Sequence, residues 1–264
     1  MPPSTTTLVH RAPGVAVFDF ACGAHRGDQG EEEATTADLL VLPWRGHFEW
    51  RTGRTVDVAS ANTALWCRRG HGYRVAHPVC GGDRCTVLAM PMADESTRGA
   101  EPAVATVPVT ARLYLEHLRL RHLLATATTP LARDESVLAF AAAVRRSPST
   151  PERSATATQL RQVHMAQEFL HANVQRTVRL AEVARAVDAS PYHLARGFHR
   201  LVGLPMHRYQ LALRARQALA AVLDGHDDLT TLALALGFCD HAHLTRVFTQ
   251  HFGMPPSAAR SRRW

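Results

Sequence analysis

The chain contains no lysine, so all 30 of its Lys or Arg positions are arginines. With 23 acidic residues, the formal net charge is +7. A guanidinium group binds phosphate and guanine in a bidentate manner that a lysine ammonium cannot match. The composition therefore favours a polyanionic partner, although a solvated basic surface or a genome-wide arginine bias would produce the same counts.

Long apolar runs and a disulfide framework are also missing from the sequence. No segment approaches the length of a membrane span, and residues 1–14 contain no apolar core of signal-peptide length. The five cysteines are scattered and odd in number, which suits a reducing compartment. Since 46% of the residues are hydrophobic, we expect a globular cytoplasmic protein with no membrane partner.

The positive charge is concentrated in the second part of the chain. Residues 1–156 hold 17 arginines and 16 acidic residues, a net charge of +1. Residues 157–264 hold 13 arginines and 7 acidic residues, a net charge of +6, together with nine of the 16 histidines. A basic C-terminal part suits a polyanion.

The composition also changes along the chain, which predicts four parts. Residues 1–108 contain short runs rich in Val, Leu, Trp and Tyr, separated by glycines, and predict a β-rich barrel or sandwich with a regulatory role. Residues 109–146 predict two helices for packing or dimerisation. Residues 147–156 predict a linker, and residues 157–264 a helical domain. The β runs are 39–50, 55–60, 64–67, 73–79 and 85–91.

An internal repeat lies in the helical domain. Residues 193–205 and 243–255 both fit H-L-x-R-x-F-x4-G-x-P, at an offset of 50 residues. The apolar segments upstream of them match at an offset of 49, so the second turn is one residue longer. A short apolar helix, a tight turn and a longer helix are typical of a helix-turn-helix unit. We therefore predict two duplicated units, at about 180–201 and 229–252.

The longer helix of each unit has an apolar face and a polar face. Helical spacing places Leu194, Phe198 and Leu201 inward in the first copy, and Leu244, Phe248 and Phe252 inward in the second. The residues that project outward are Tyr192, Arg196 and His199 in the first copy and Ala242, Arg246 and Thr249 in the second. A helix pair with a solvated polar face is the alternative, but two copies with matched arginines favour recognition of a DNA groove.

A single helix is predicted between the two copies, over residues 206–225. About 18 helical residues span ~27 Å, which can hold two recognition helices about one DNA turn apart, ~34 Å. One chain would then reach two successive major grooves.

Residues 159–262 resemble the AraC family of bacterial transcription regulators. The resemblance is carried by the segment GF-x-D-x-x-x-L-x-R-x-F-x4-G-x-P-P-S-x-x-R at residues 237–260. It implies a seven-helix DNA-binding domain and an α+β chain with an N-terminal cupin-like β-barrel followed by dimerising helices. It also implies a nucleoid-associated, sequence-specific regulator rather than an enzyme. The implied partners are double-stranded DNA, a small-molecule effector, RNA polymerase and a second copy of the chain.

The resemblance also assigns DNA contacts to particular positions. They are Tyr192, Ala195 and Arg196 in the first unit and His241, Ala242, Thr245 and Arg246 in the second. Arg196 and Arg246 are the candidates for direct base readout, whereas the two alanines offer only apolar contact. His199 shares the outward face, and Arg200, Arg214 and Arg216 are expected to position phosphates.

Two sets of N-terminal residues are candidates for ligand binding. Trp44, Trp50, Trp66 and Tyr73 would line an effector pocket or form barrel core. Cys22 with His25, and His77 with Cys80 and Cys85, combine thiols and imidazoles in a pattern that suits zinc, another soft metal or a thiol switch. Plain packing of buried cysteines is the alternative.

Two enzymatic alternatives are disfavoured. A catalytic cupin metal site needs closely spaced histidines and carboxylates, yet His71 and His77 lie six residues apart with no acidic residue between them. A repair protein with methyl-accepting cysteines would place its metal-binding cysteines differently and would lack the β-rich region. The sequence therefore predicts no enzymatic activity.

Overall fold

The computed structural model describes residues 4–23, 30–53, 55–77, 82–90, 103–126, 129–145 and 156–261. The chain divides into two compact units, Met1–Glu152 and Arg153–Trp264. Most of the predicted linker, residues 147–155, lies outside the described residues, and the four-part division stays a prediction. Among the described helices, none has the length and hydrophobicity that crossing a membrane would require.

The first unit is built on an antiparallel sheet. Its described strands are β1 (Ser4–Ala12), β2 (Val15–Cys22), β3 (Glu33–Ala34), β4 (Asp38–Arg45), β5 (His47–Thr52), β6 (Thr55–Ser60), β7 (Thr63–Cys67), β8 (Gly72–Ala76), β9 (Asp83–Met90) and β10 (Val104–Pro108). Their order is β1-β2-β9-β4-β7-β6-β5-β8-β3, and β10 pairs with β7. The sheet curls into a half-barrel and is followed by helices, which confirms the predicted α+β fold class.

Gly46 explains why the predicted strand over residues 39–50 is in fact two strands. Gly46 has φ +74, and a Cβ at this position would lie 2.2 Å from the carbonyl oxygen of Gly82. Only glycine fits both conditions. On one side of this corner β4 pairs with β7 and β9, and on the other β5 pairs with β6 and β8. The chain therefore passes between the two halves of the curled sheet at Gly46.

Two helices follow the sheet, α1 (Ala111–Thr126) and α2 (Pro130–Arg145). Leu113, Leu120 and Leu124 are buried on one stripe of α1, as their spacing predicts. The two helices pack against each other, and α2 also contacts β1. There the imidazole Nε2 of His10 lies 2.6 Å from Oδ1 of Asp134. Dimerisation through these helices stays a prediction.

The second unit is helical throughout its described residues. It contains α3 (Ala157–Ala172), α4 (Leu180–Ala186), α5 (Pro191–Val202), α6 (Met206–Leu223), α7 (Leu229–Ala235), α8 (His241–Phe252) and α9 (Pro256–Ser261). These are the seven helices that the family resemblance implies, and α6 is the predicted 18-residue helix. The first core cluster of this unit joins α3, α4, α5 and α6 around Phe198 and Tyr209, both fully buried.

Candidate nucleic-acid interface and cavity

The two copies of the repeat form the same local structure. In the first, α4 and α5 are joined by a turn in which the Ala189 amide donates to the Ala184 carbonyl at 2.9 Å. In the second, α7 and α8 are joined by a turn in which the Phe238 amide donates to the Ala233 carbonyl, also at 2.9 Å. These bonds connect residues five apart and satisfy carbonyl groups at the end of each short helix. Both pairs obey the 49-residue offset of the upstream repeat.

The backbone conformations within the two turns also correspond, except that the second turn contains one additional residue. Asp188 and Gly237 occupy equivalent positions, and both have left-handed backbones, with φ of 50 and 75. Ser190 then caps α5, whereas Cys239 is inserted before Asp240 caps α8. The extra residue therefore lies between the left-handed position and the helix start, which changes the offset from 49 to 50.

The longer helices end in the same way, which places their outward faces in register. Gly203 and Gly253 are left-handed caps, with φ of 83 and 72. Their amides donate to the carbonyls of His199 at 3.0 Å and Thr249 at 2.8 Å. Because both helices have 12 residues and the same C-terminal cap, residues 50 apart occupy equivalent places on α5 and α8.

The predicted contact residues lie mainly on the exposed faces of α5 and α8. In α5, Tyr192 is 67% exposed, and Arg196, His199 and Arg200 are exposed while Ala195 is half-buried. In α8, His241, Ala242, Arg246 and Thr249 are exposed and Thr245 is half-buried. On the opposite faces, Leu194, Phe198, Leu244 and Phe248 are buried. Both helices are thus held by apolar faces and present an arginine at the same place.

The exposed face of α8 forms a shallow groove. It is lined by His241, Ala242, Thr245, Arg246, Thr249 and Gln250. The Thr245 hydroxyl lies 3.3 Å from Nε2 of His241, so these two side chains orient each other. On α5, Arg200 donates from Nη2 to Oε1 of Gln159 at 3.0 Å, a contact that holds its guanidinium toward α3.

The structure corrects the expectation that Arg214 and Arg216 position phosphates. Both side chains are buried, at 5% and 3% exposure, because α6 is surrounded by the other helices of the unit. Arg214 donates to three carbonyls: from Nε to Val174 at 2.6 Å, from Nη2 to Arg176 at 2.8 Å and from Nη1 to Gly237 at 2.6 Å. Arg214 therefore joins the segment after α3 to the turn of the second unit.

Gly237 completes this internal junction. A Cβ at Gly237 would lie 2.2 Å from the carbonyl oxygen of Gln175, so the turn approaches that segment as closely as a backbone can. Sequence reasoning missed this role of Arg214 and Gly237. Within residues 211–223 Gln217 is exposed and both arginines are buried, and only the packing of other helices around α6 reveals this.

In the first unit, the inner face of the curled sheet lines a cavity of about 320 Å³. Its walls are mainly apolar, and its polar lining includes Cys22, Glu31, Glu33, His77, Asp83 and Cys85. Trp50 and Tyr73 stack along one wall, with ring centroids 3.8 Å apart and planes 9° from parallel. The Tyr73 hydroxyl donates to Oε2 of Glu33 at 2.7 Å, and burial raises the pKa of Tyr73, as does the neighbouring carboxylate. The apolar wall residues are Phe18, Phe20, Leu39, Val41, Phe48, Val75 and Val87.

Of the four predicted pocket aromatics, the structure brings Trp50 and Tyr73 to the cavity. Trp44 and Trp66 lie on the other face of the sheet. Side chains alternate along a strand, so Leu39 and Val41 face the cavity while Trp44 faces away. Trp66 pairs with Leu40 and shares that outer face. There the guanidinium carbon of Arg121, on α1, lies 3.6 Å from the ring centroid of Trp44, in a cation–π contact.

The proposed metal ligands are brought together only in part. Cys22, His77 and a residue absent from the sequence prediction, Asp83, place ligand atoms within 4.8 Å of one another. Nε2 of His77 lies 2.7 Å from Oδ1 of Asp83, and the Cys85 thiol donates to Oδ2 at 3.1 Å. Cys22 and Asp83 are paired across β2 and β9, and only this strand pairing reveals their proximity. His25 and Cys80 lie outside the described residues.

Neighbouring ionisable groups are kept neutral. Burial lowers the pKa of His47, on β5, to about 4, and His77 acts in the same direction. Burial and the nearby Asp83 carboxylate raise the pKa of Cys85 well above its usual range. At neutral pH the His47 imidazole is therefore uncharged and the Cys85 thiol is protonated.

Comparison with known proteins agrees with the duplicated units. Residues 183–262 match a family model described as a helix-turn-helix domain. The matched region contains α5, α6, α7 and α8 in full, so it includes the longer helix of each unit. This chain is also similar to an uncharacterized HTH-type transcriptional regulator of Escherichia coli K12, YidL, to which it is 31% identical over 100 residues. That match covers 38% of this chain and 34% of YidL.

One further curated protein and one solved structure are similar to this chain. An uncharacterized HTH-type transcriptional regulator of Bacillus subtilis 168, YobQ, is 26% identical over 93 residues, covering 35% of this chain and 39% of YobQ. A crystal structure of a Chromobacterium violaceum regulator, described as containing an AraC-type DNA-binding domain, is 24% identical. It covers 41% of this chain and 96% of that one, with a TM-score of 0.38. The chain thus spans 34% and 39% of the length of the two curated relatives.

Proposed function

We propose that the chain is a sequence-specific DNA-binding transcription regulator that reads two adjacent major grooves with α5 and α8. The observation that carries this proposal is the exposure of Arg196 and Arg246 at equivalent places on two helices with the same buried faces. An arginine on an exposed recognition helix can bind guanine through two hydrogen bonds. The two curated relatives are both named as transcriptional regulators. These names support the prediction of a regulator rather than an enzyme.

The two helices present different chemistry, so the proposed DNA site is asymmetric. Around Arg196, α5 offers the Tyr192 phenol and the His199 imidazole. Around Arg246, α8 offers the small Ala242 and the hydroxyl of Thr249. An aromatic ring and a methyl group select different base edges, because a methyl group packs on the thymine methyl. The two half-sites should therefore differ in sequence.

The cavity of the first unit is the proposed effector site. Its volume of about 320 Å³ and its apolar wall fit a small organic molecule. The stacked Trp50 and Tyr73 rings suit a flat or apolar group, and Glu31 and Glu33 favour a hydrogen-bond donor or a cation at the same wall. A second copy of the chain and RNA polymerase are the further partners that we propose for this function.

The proposed function is tested by measuring DNA binding of the full chain. Fluorescence anisotropy with its own upstream DNA should show tight binding that weakens steeply with salt, since arginine contacts release counterions. Arg196→Ala and Arg246→Ala should each cost about 1–3 kcal/mol on the specific site and relax the sequence preference at one half-site.

A matched control is Arg69→Ala, because Arg69 lies between β7 and β8 in the other unit, outside the predicted dimerisation helices, and is exposed. This variant should bind as the unaltered chain does. Equal losses on specific and random DNA for Arg196→Ala and Arg246→Ala would remove both arginines from base readout. Equal affinity of the unaltered chain for all DNA sequences would refute a sequence-specific regulator.

A further inference from the structure

Three side chains with metal-ligand atoms meet at one end of the cavity. Cys22 ends β2, His77 follows β8 and Asp83 begins β9, and their ligand atoms lie within 4.8 Å of one another. His77 and Asp83 are only 6% and 3% exposed. All three side chains line the cavity, so an ion bound between them would face its interior.

The backbone holds these side chains in place. Cys22 and Asp83 are direct partners in the pairing of β2 with β9. The residue before Asp83 is Gly82, with φ +63, and a Cβ there would lie 1.8 Å from the carbonyl oxygen of Cys22. Only glycine allows β9 to begin this close to Cys22. The cluster is therefore formed by regular strands and by a turn with one permitted residue, which is the support that a ligand site needs.

We propose that Cys22, His77 and Asp83 bind a divalent ion of the zinc class, with a fourth coordination position open to the cavity. A thiolate, an imidazole and a carboxylate together suit zinc, whereas magnesium and calcium prefer oxygen ligands alone. Three protein ligands leave a position for water or a ligand molecule. When the ion binds, it replaces the hydrogen bond between Nε2 of His77 and Oδ1 of Asp83, and the remaining proton of the neutral imidazole is then on Nδ1. A bond forms between the ion and the Cys22 sulfur, and the thiol proton passes to solvent.

Cys85 acts as a positioning residue in this site. Its thiol donates to Oδ2 of Asp83 at 3.1 Å, leaving Oδ1 directed toward His77. Partners that orient a ligand typically contribute 10–100-fold to metal affinity. Cys85→Ala should therefore weaken zinc binding about 10-fold. Cys85→Ser keeps a donor and should restore most of that affinity, whereas a purely packing role would not distinguish the two variants in this way.

The inference rests on the proposed function only in treating the cavity as the effector site, and it is tested by titrating the reduced, metal-free full chain with Co²⁺ and Zn²⁺. Co²⁺ should bind one equivalent and produce a thiolate-to-cobalt charge-transfer band with the d–d bands of a four-coordinate ion. Zn²⁺ should displace it. Cys22→Ser should abolish the charge-transfer band and weaken zinc binding by more than about 100-fold, beyond what loss of an orienting partner costs.

Cys239→Ser is the matched control, since Cys239 is an exposed thiol in the other unit. It should keep the band and the affinity. If the unaltered chain shows no thiolate band with Co²⁺, the site is overturned even when Cys22→Ser fails to fold. A folded Cys22→Ser variant that keeps the same band would also overturn it, because another thiol would then be the ligand.

DNA binding of the same preparations separates this inference from the proposed function. Zinc binding by a chain that binds no DNA would support the metal site and refute the regulator. Sequence-specific DNA binding by a chain without zinc affinity would refute the metal site and support the regulator. A change in DNA affinity on adding zinc, lost in Cys22→Ser, would support both.

Discussion

The two helix-turn-helix units share a scaffold and differ in the details that could distinguish their roles. Both have a buried alanine in the short helix, a left-handed residue in the turn, and a left-handed glycine after the long helix. The second copy has an additional residue, Cys239, and a turn built against the rest of the domain at Gly237. The comparison shows that duplication preserved the helix geometry, while tertiary contacts made the copies unequal.

The largest expected effect comes from Arg214, which joins the second turn to the segment after α3. Arg214→Met should lower the free energy of unfolding of the C-terminal domain by roughly 3–5 kcal/mol, because three carbonyls lose their buried donor. Chemical denaturation followed by circular dichroism measures the change. Arg208→Met, at an exposed position on the same helix, is the control. Equal stabilities of the two variants would contradict the assigned role.

A smaller effect is expected at the left-handed position of each turn. Gly237→Ala should cost roughly 2–4 kcal/mol, since the new Cβ would meet the Gln175 carbonyl and the backbone is left-handed. Asp188→Gly, at the equivalent position, should change stability by less than about 1 kcal/mol. Calorimetry of the full chain measures both. Similar changes in stability for the two substitutions would contradict the difference between the two turns.

The third difference concerns pH. His251 in α8 stands where α5 has Leu201, and burial, with the neighbouring Arg216, lowers the pKa of His251 to about 4. The unfolded chain takes up a proton near pH 6.5 and the folded chain does not, so stability is lost as the pH falls from 6.5 toward 4.

His251→Leu should remove this loss and gain about 1–2 kcal/mol relative to the unaltered chain between pH 6.5 and 4.5. Melting temperatures measured across this pH range for both chains provide the check. Because other buried histidines, such as His117, titrate in both chains, only the difference between the two curves is informative. Parallel curves would show that His251 does not titrate in this way.

The smallest expected difference lies at the starts of the long helices. Asp240 accepts from the His243 amide at 2.6 Å, so Asp240→Ala should cost about 1 kcal/mol. In the described residues the Ser190 side chain forms no capping hydrogen bond, and Ser190→Ala should cost less. Denaturant midpoints of the two variants measure this, and a larger loss for Ser190→Ala would reverse the order.

Much of the C-terminal domain could be predicted because its signals are local. The spacing of Leu194 and Phe198 predicts a buried face, and Gly203 and Gly253 mark the helix ends. The inward and outward faces of α5 and α8 follow from a period of 3.6 residues alone. Arg214 could not be placed in this way, because its burial depends on helices that approach α6 from other parts of the chain.

The N-terminal unit was less predictable, since strand partners are distant in sequence. The β-rich character of residues 1–108 was visible, but the division at Gly46 and the opposite orientations of Trp50 and Trp44 depend on the curl of the sheet. The sequence pattern that marked His77 and Cys85 as candidate metal ligands did not include Asp83. Its proximity to Cys22 arises from the pairing of β2 with β9.

The sequence by itself determined the duplicated units, their one-residue difference and the arginines they share, because helical periodicity and turn chemistry act over a few neighbouring residues. Only the tertiary structure decided which arginines are exposed, which aromatic rings line the cavity and which side chains gather around Asp83. Those properties depend on segments far apart in the chain, and burial and hydrogen bonding are settled only where such segments pack together.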